Sequence, residues 1–207
     1  FITRFKAAGG EVMSELRVPL ANPDFAPFLQ RVRDTKPDAL FVFVPAGVGA
    51  IFMKQFVERG LDTSGIRLIG TGDVTDDDLL ESMGAPSVGV VTSFHYSAAH
   101  DSPENKAYVD GMMKANNGMR PKSHSAGGDD GTHPIYGAVQ KAGPTASGEQ
   151  LVEAMKGLKW TSPRGPMSID PATRQPIQNV YMREVKMVNG KPWNVEFDKV
   201  ENVKDPG

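Results

Sequence analysis

Cysteine is absent from these 207 residues. Disulfides, thiolate metal sites and cysteine nucleophiles are therefore excluded, although the redox compartment is not fixed by this. No apolar run approaches the roughly 20 residues of a membrane-spanning helix. Charge of one sign is not in excess: 23 Lys and Arg stand against 25 Asp and Glu, a net charge of −2. With no basic run and no aromatic–basic interleaving, nucleic acid is not expected as a partner. Catalytic signatures are missing too, with no G-x-S-x-G elbow, no P-loop and no H-E-x-x-H. Gly47-Val48-Gly49 and Gly70-Thr71-Gly72 each supply G-x-G, but Phe52 and Thr75 stand where the third glycine of a dinucleotide fingerprint belongs. The four histidines, His95, His100, His124 and His133, have no metal-ligand spacing. No metal or cofactor is expected. There is no internal repeat, no low-complexity segment and no visible signal peptide. The first residue is Phe, not Met, and Phe1, Ile2 and Phe5 already follow a helical pattern without an N-cap. The expectation is that Phe1 lies inside a longer natural chain, and that the strand leading into this helix precedes it.

What is present is organised around residues 38–60, DALFVFVPAGVGAIFMKQFVERG. Residues 39–44 are a continuous apolar run, which reads as a strand buried on both faces. Residues 45–49 break it. Phe52, Met53, Phe56 and Val57 then recur at helical spacing until Gly60 stops the helix. Before this unit, Val12, Leu16 and Val18 share one side of an alternating stretch, residues 11–18, read as a strand. Asn22-Pro23-Asp24 is a turn and cap signal, and Phe25, Phe28, Leu29 and Val32 give one helical face. After Gly60, residues 66–70 read as a strand, residues 76–83 as a helix and residues 88–94 as another strand. The order α-β-α-β-α-β-α-β predicts a four-stranded parallel sheet with helices on both faces. Its strand-end loops, residues 19–22, 45–49, 71–75 and 95–98, open on one edge, where such folds bind ligands. The run Asp76-Asp77-Asp78 reads as an acidic first helical turn facing the macrodipole.

Beyond Ala98 the character changes. Ser102-Pro103-Glu104 starts a helix carrying Tyr108, Val109, Met112 and Met113 inward. Residues 123–130 are small and polar, and Asp129-Asp130 reads as a cap before a helix through Ile135, Ala138, Val139 and Ala142. Ser147-Gly148-Glu149-Gln150 fits a capping box. The tail is β, with Met167 and Ile169 before an Asp170-Pro171 turn, a long strand over residues 177–188, an Asn189-Gly190 hairpin, and Trp193, Val195 and Phe197 alternating on the return.

Several stretches together carry a family likeness: Gly-Gly-Glu-Val at residues 9–12, N-P-D-F-A-P-F-L at 22–29, K-P-D-A-L-F-V at 36–42, E-R-G-L at 58–61, Asp130-Gly131-Thr132-His133, Lys141-Ala142-Gly143 and Ser162-Pro163-Arg164-Gly165-Pro166. In order and spacing the chain resembles the Leu/Ile/Val-type solute-binding proteins of ABC importers, over nearly its whole length. The resemblance implies an α/β type I periplasmic binding fold: a three-layer parallel-sheet lobe, part of a second lobe and a C-terminal β-hairpin. It implies three segments: residues 1–96 as the second ligand-binding lobe, 97–160 as a helical return to the first lobe, and 161–207 as strands completing the second. It further implies a non-enzymatic, extracytoplasmic or periplasmic carrier, secreted as a precursor with or without a lipid anchor. Such a carrier captures an amino acid or an organic carboxylate, aromatic ones included, by hinge closure and delivers it to a membrane permease. By position, Pro45, Ala46 and Gly47 match one ligand-facing loop, and Thr71 to Asp73 another, where Asp73 suits a ligand ammonium. Phe94 and Tyr96 at the crossover offer aromatic cover for an apolar ligand. A carrier that must fit its permease is most simply a monomer. Two other readings stand beside it: the ligand-sensing domain of a receptor or regulator, and a small flavodoxin-like enzyme.

Overall fold

A computed structural model describes residues 1–19, 21–45 and 47–206. Its core is built by local units of sequence. Helix α1 (Ile2–Ala7) ends at Gly9, whose φ of +88° suits glycine. Helix α2 (Ala26–Thr35) has Pro27 in its first turn and ends at Lys36 in the left-handed region. Strand β1 (Ala39–Val42) leads to helix α3 (Gly49–Glu58), strand β2 (Arg67–Thr71) to a single 3₁₀ turn (Gly72–Thr75) and the short helix α4 (Leu80–Met83), and strand β3 (Val91–Phe94) closes the series. β1, β2 and β3 pair in parallel, as crossovers of helix length require. One face of this sheet carries the main core: Leu29 of α2, Phe52, Met53 and Phe56 of α3, Leu68, Leu80, Val90 and Val185 interlock there. Phe25 meets Phe52 edge to face with ring centroids 5.3 Å apart, the arrangement that the ring quadrupoles favour.

Several expectations are corrected. Residues 11–18 form no ladder: Val12, Leu16 and Val18 are half-buried on one side, but no described strand pairs with this stretch, so the parallel part has three strands. Alternation sets which side chains turn inward; a strand also needs a hydrogen-bonded neighbour. The strand begun at Ala39 is not buried on both faces. Leu40, Val42 and Val44 face the core, whereas Phe41 is 37% and Phe43 72% exposed. The six-residue α1 covers that outer face only locally, with Phe1 stacked on Phe41 at 3.9 Å. Residues 76–78 precede α4 instead of opening it, and Asp76 and Asp77 are buried.

The remaining helices are α5 (Pro103–Ala115), α6 (Ser123–Ala142) and α7 (Gly148–Met155). Ser102 Oγ accepts the Asn105 amide at 3.1 Å, the cap that its sequence announces. In α7, Ser147 and Gln150 complete a reciprocal capping box. α6 is one 20-residue helix and not a loop followed by a helix, so Asp129 and Asp130 lie inside it and cap nothing. Its Pro134 removes the amide that the Asp130 carbonyl would accept, while Thr132 Oγ1 donates to the Asp129 carbonyl at 2.7 Å.

Strands β4 (Lys159–Ser162), β5 (Gly165–Ile169), β6 (Pro176–Val188) and β7 (Lys191–Val203) complete a seven-stranded sheet in the order β1-β2-β3-β6-β5-β4, with β7 against the other edge of β6. β6 is the hub, pairing antiparallel with β5, β3 and β7. Asn189 and Gly190 both have positive φ, as a two-residue hairpin turn with right-handed strand twist demands. On β7 the inward residues are Pro192 and Asn194, both buried, while Phe197 is 56% exposed. The return strand therefore turns the other parity inward from the one its aromatics suggest.

Candidate ligand-binding site

Three loops meet at the carboxyl ends of β1, β2 and β3, and glycines let them meet. A Cβ on Gly49 would stand 2.8 Å from the Asp73 carbonyl oxygen and closer still to that of Val74. A Cβ on Gly72 would overlap Phe94 Cγ and Cδ1 and stand 2.5 Å from its Cβ. The loop after β1 thus lies on the turn after β2, and that turn lies on the end of β3. Of the residues expected to face a ligand, Pro45 and Gly47 are exposed, and Thr71, Asp73 and Phe94 are half-buried along this contiguous edge. Ala46 lies outside the described residues. Tyr96 is placed elsewhere: it is fully buried and meets Tyr108 of α5 edge to face at 6.5 Å. Phe94 is therefore the aromatic that the described edge presents.

Beneath the edge sits a group that the sequence reading missed, Arg183 of β6, 1% exposed. Its Nη1 donates to the Tyr96 carbonyl at 2.6 Å, and its Nη2 to the Gly72 carbonyl at 3.2 Å and to Thr92 Oγ1 at 3.0 Å. Asp77 Oδ2 lies 3.8 Å from it. One guanidinium therefore fixes the ends of β2 and β3 together, and its carbon sits 5.0 Å from the Phe94 ring centroid. Its signal was parity: Asn179, Tyr181, Arg183 and Val185 alternate on the buried face of β6.

Asp77 continues the network. Burial pushes its carboxyl up from the usual range, and Arg183 pulls it back. Its Oδ1 accepts Asn194 Nδ2 at 2.9 Å, and its Oδ2 accepts the Ala98 amide at 3.3 Å. Asn194 also exchanges two bonds with Thr75, and its carbonyl accepts Ser97 Oγ. The segment that leaves β3 is thereby tied to β7 and to the turn after β2. Neighbouring Asp76 is raised to about 6, chiefly by burial and then by Asp78 and Asp77.

His95 follows Phe94 directly, ring against ring at 4.4 Å. It is half-buried and has no hydrogen-bond partner among the described residues. Burial lowers it to about 4, and Arg164 and Arg183 push the same way. Arg164 itself is buried in the β4–β5 turn, with Nε on Asp130 Oδ2 and Nη1 on Gln178 Oε1 at 2.6 Å. Trp160 Nε1 donates to Asp130 Oδ1 at 3.0 Å. Asp130 of α6 thus ties that helix to the strands. Among the described residues, no group of three or more His, Cys, Asp or Glu is arranged to hold a metal ion. Two surface clefts lie away from the edge: one of about 810 Å³ at the opposite ends of β1 and β2, lined by Arg33, Lys36 and Arg67, and one of about 460 Å³ at residues 98–110. Neither is lined by Pro45, Gly47, Thr71, Asp73, Phe94 or Tyr96.

Comparison with known proteins places this geometry. A solute-binding protein of an ABC transporter from Rhodopseudomonas palustris BisB5, solved in complex with 3,4-dihydroxybenzoic acid, is 58% identical, with a TM-score of 0.96 over 99% of this chain and 56% of its own. A second, from Rhodopseudomonas palustris HaA2 in complex with p-hydroxybenzoic acid, is 37% identical with a TM-score of 0.90, over 98% of this chain and 55% of its own. The Leu/Ile/Val-binding protein homolog 6 of Brucella melitensis is 43% identical across 100% of this chain and 54% of its own length. The chain thus spans about half the length of the relatives it matches. The model of a family described as periplasmic binding protein matches residues 1–191, and with three parallel strands opening their loops on one edge and the segment after β3 tied down beneath it, the chain belongs to the periplasmic binding protein family.

Proposed function

We propose that the whole protein is the extracytoplasmic solute-binding component of an ABC importer, and that its ligand is an aromatic carboxylate of the benzoate class. The observation that carries this reading is the 58% identity, over 99% of the chain, to a solute-binding protein in complex with 3,4-dihydroxybenzoic acid. The strand-end edge suits such a ligand: the aromatic Phe94 and the polar Asp73 are both half-buried along it. On this reading residues 1–96 and 161–207 build one lobe, and residues 97–160 belong to the other. The ligand is enclosed between the lobes and released to a membrane permease, without chemical change. The protein acts as a monomer in the periplasm or its equivalent. Asp73 then accepts a hydrogen bond instead of pairing with an ammonium.

The test is a thermal-shift screen of the full-length mature protein against benzoate, 4-hydroxybenzoate, 3,4-dihydroxybenzoate, leucine and valine. A ligand at 100 times its dissociation constant adds about 2.7 kcal/mol of stability. A shift of several degrees with the aromatic acids and none with leucine or valine is the expected result. A shift confined to the amino acids overturns the ligand class, and no shift with any of the five overturns the reading.

A further inference from the structure

His95 is left over from the binding edge as described. It sits at the end of β3 between Phe94, which faces the edge, and Tyr96, which is buried. Four titratable or charged groups act on its ring: Arg164 from the β4–β5 turn, Arg183 from β6, and Asp130 and His124 from α6. The two cations are both engaged, Arg164 with Asp130 and Arg183 with Asp77. The space beside His95 therefore lacks the free positive charge that would draw a carboxylate. Burial and the two guanidinium groups hold the ring neutral at physiological pH. A neutral imidazole offers one N–H donor and one bare nitrogen acceptor. A phenolic hydroxyl can donate to the bare nitrogen or accept from the N–H, whichever nitrogen faces it; a carboxylate, which only accepts, can meet only the N–H.

We propose that the unpartnered imidazole of His95, beside Phe94 at the end of β3, hydrogen-bonds a hydroxyl group on the ring of a bound aromatic carboxylate. The protein thereby selects hydroxylated over unsubstituted rings. This rests on the benzoate-class reading above. Phe94 supplies sequence-tolerant ring contact, and His95 supplies the discrimination, because a polar group left unpaired in a closed site penalises the ligand that lacks its complement. The carboxylate end of the ligand is held elsewhere.

The test uses the full-length protein and titration calorimetry with benzoate and 4-hydroxybenzoate. The wild type should bind 4-hydroxybenzoate about tenfold or more tightly than benzoate. His95→Phe should weaken 4-hydroxybenzoate by about tenfold or more and leave benzoate within about threefold. Equal wild-type affinities, an equal loss for both ligands, or no loss for either overturns the proposal. A second readout needs no variant: in the wild type, the His95 ring-nitrogen resonances should move with 4-hydroxybenzoate and stay in place with benzoate, whereas the same movement with both overturns the assignment. Between pH 6 and 8, 4-hydroxybenzoate affinity should be flat; proton uptake by His95 on binding would mean that it meets the carboxylate. Failure of the benzoate-class reading looks different, since the wild type would then bind neither acid.

Discussion

At the scale of single residues, two buried ionisable groups differ in how well their surroundings compensate a charge. Asp76 has its folded pKa raised to about 6, chiefly by burial. A raised folded pKa means that the native state binds the proton more tightly than the unfolded chain does. The associated stability is fully present below the unfolded value near 4 and is lost as pH rises through about 6. Asp76→Asn should therefore stabilise the protein at pH 7.5 by on the order of 1–3 kcal/mol and change little at pH 4. Urea unfolding at the two pH values reads this, and an equal effect at both would show that Asp76 keeps an ordinary pKa. Asn can still accept the Asp77 amide that Asp76 Oδ1 accepts at 3.1 Å. Arg183 is the opposite case, a charge whose partners justify its burial. Arg183→Met should cost roughly 3–5 kcal/mol, because it strands the Asp77 carboxylate and removes the donors to the Tyr96 and Gly72 carbonyls. Adding Asp77→Asn should recover part of that loss, and strictly additive losses would mean that the two groups do not interact.

At the scale of elements, the site is a stack of loops whose spacing is set by what is missing from glycine. Gly72→Ala drives a methyl group against Phe94 Cβ, Cγ and Cδ1. It should lower stability by about 1–3 kcal/mol, the usual cost of overpacking. In a Phe94→Ala background the cost should fall only in part, because the Cβ that alanine keeps still stands 2.5 Å from the new methyl group, and thermal melts of the four proteins decide it. Much of this level was legible in the sequence. The helix starts at Ser102 and Ser147 and the Asn189-Gly190 turn each rest on local hydrogen bonding or local φ, which neighbouring residues specify. Residues 11–18 and 123–130 were not legible, for opposite reasons. The first has strand alternation but no described partner to pair with. The second is rich in glycine and serine, poor helix formers, and is helical because Ala126 and Asp130 are buried against the rest of the protein.

For the whole molecule, the proposed carrier has a mechanical consequence. Its two lobes should close on the ligand, so small-angle scattering of the full-length protein should give a smaller radius of gyration with 4-hydroxybenzoate than without. An unchanged radius at saturating ligand would count against hinge closure. The segment after β3 is tightly held: Ser97 and Ala98 are tied to Asn194 and Asp77, and Asn105 Nδ2 donates to the Ala98 and His100 carbonyls at 3.1 and 2.9 Å.

The sequence by itself determined the α/β class, the parallel order of β1 to β3, the loops that share one edge, and the family, because periodicity, turn chemistry and motif order are properties of neighbours along the chain. Only the tertiary structure decided that Tyr96 turns inward and that Phe41 and Phe43 keep an open face. It alone brought Arg183, Asp77 and Asn194 together beneath the edge and left the His95 ring with no hydrogen-bond partner among the described residues. Asp77 and Asn194 are separated by 117 residues. The charge state and burial of such groups depend on the partner that folding brings, which no local pattern encodes.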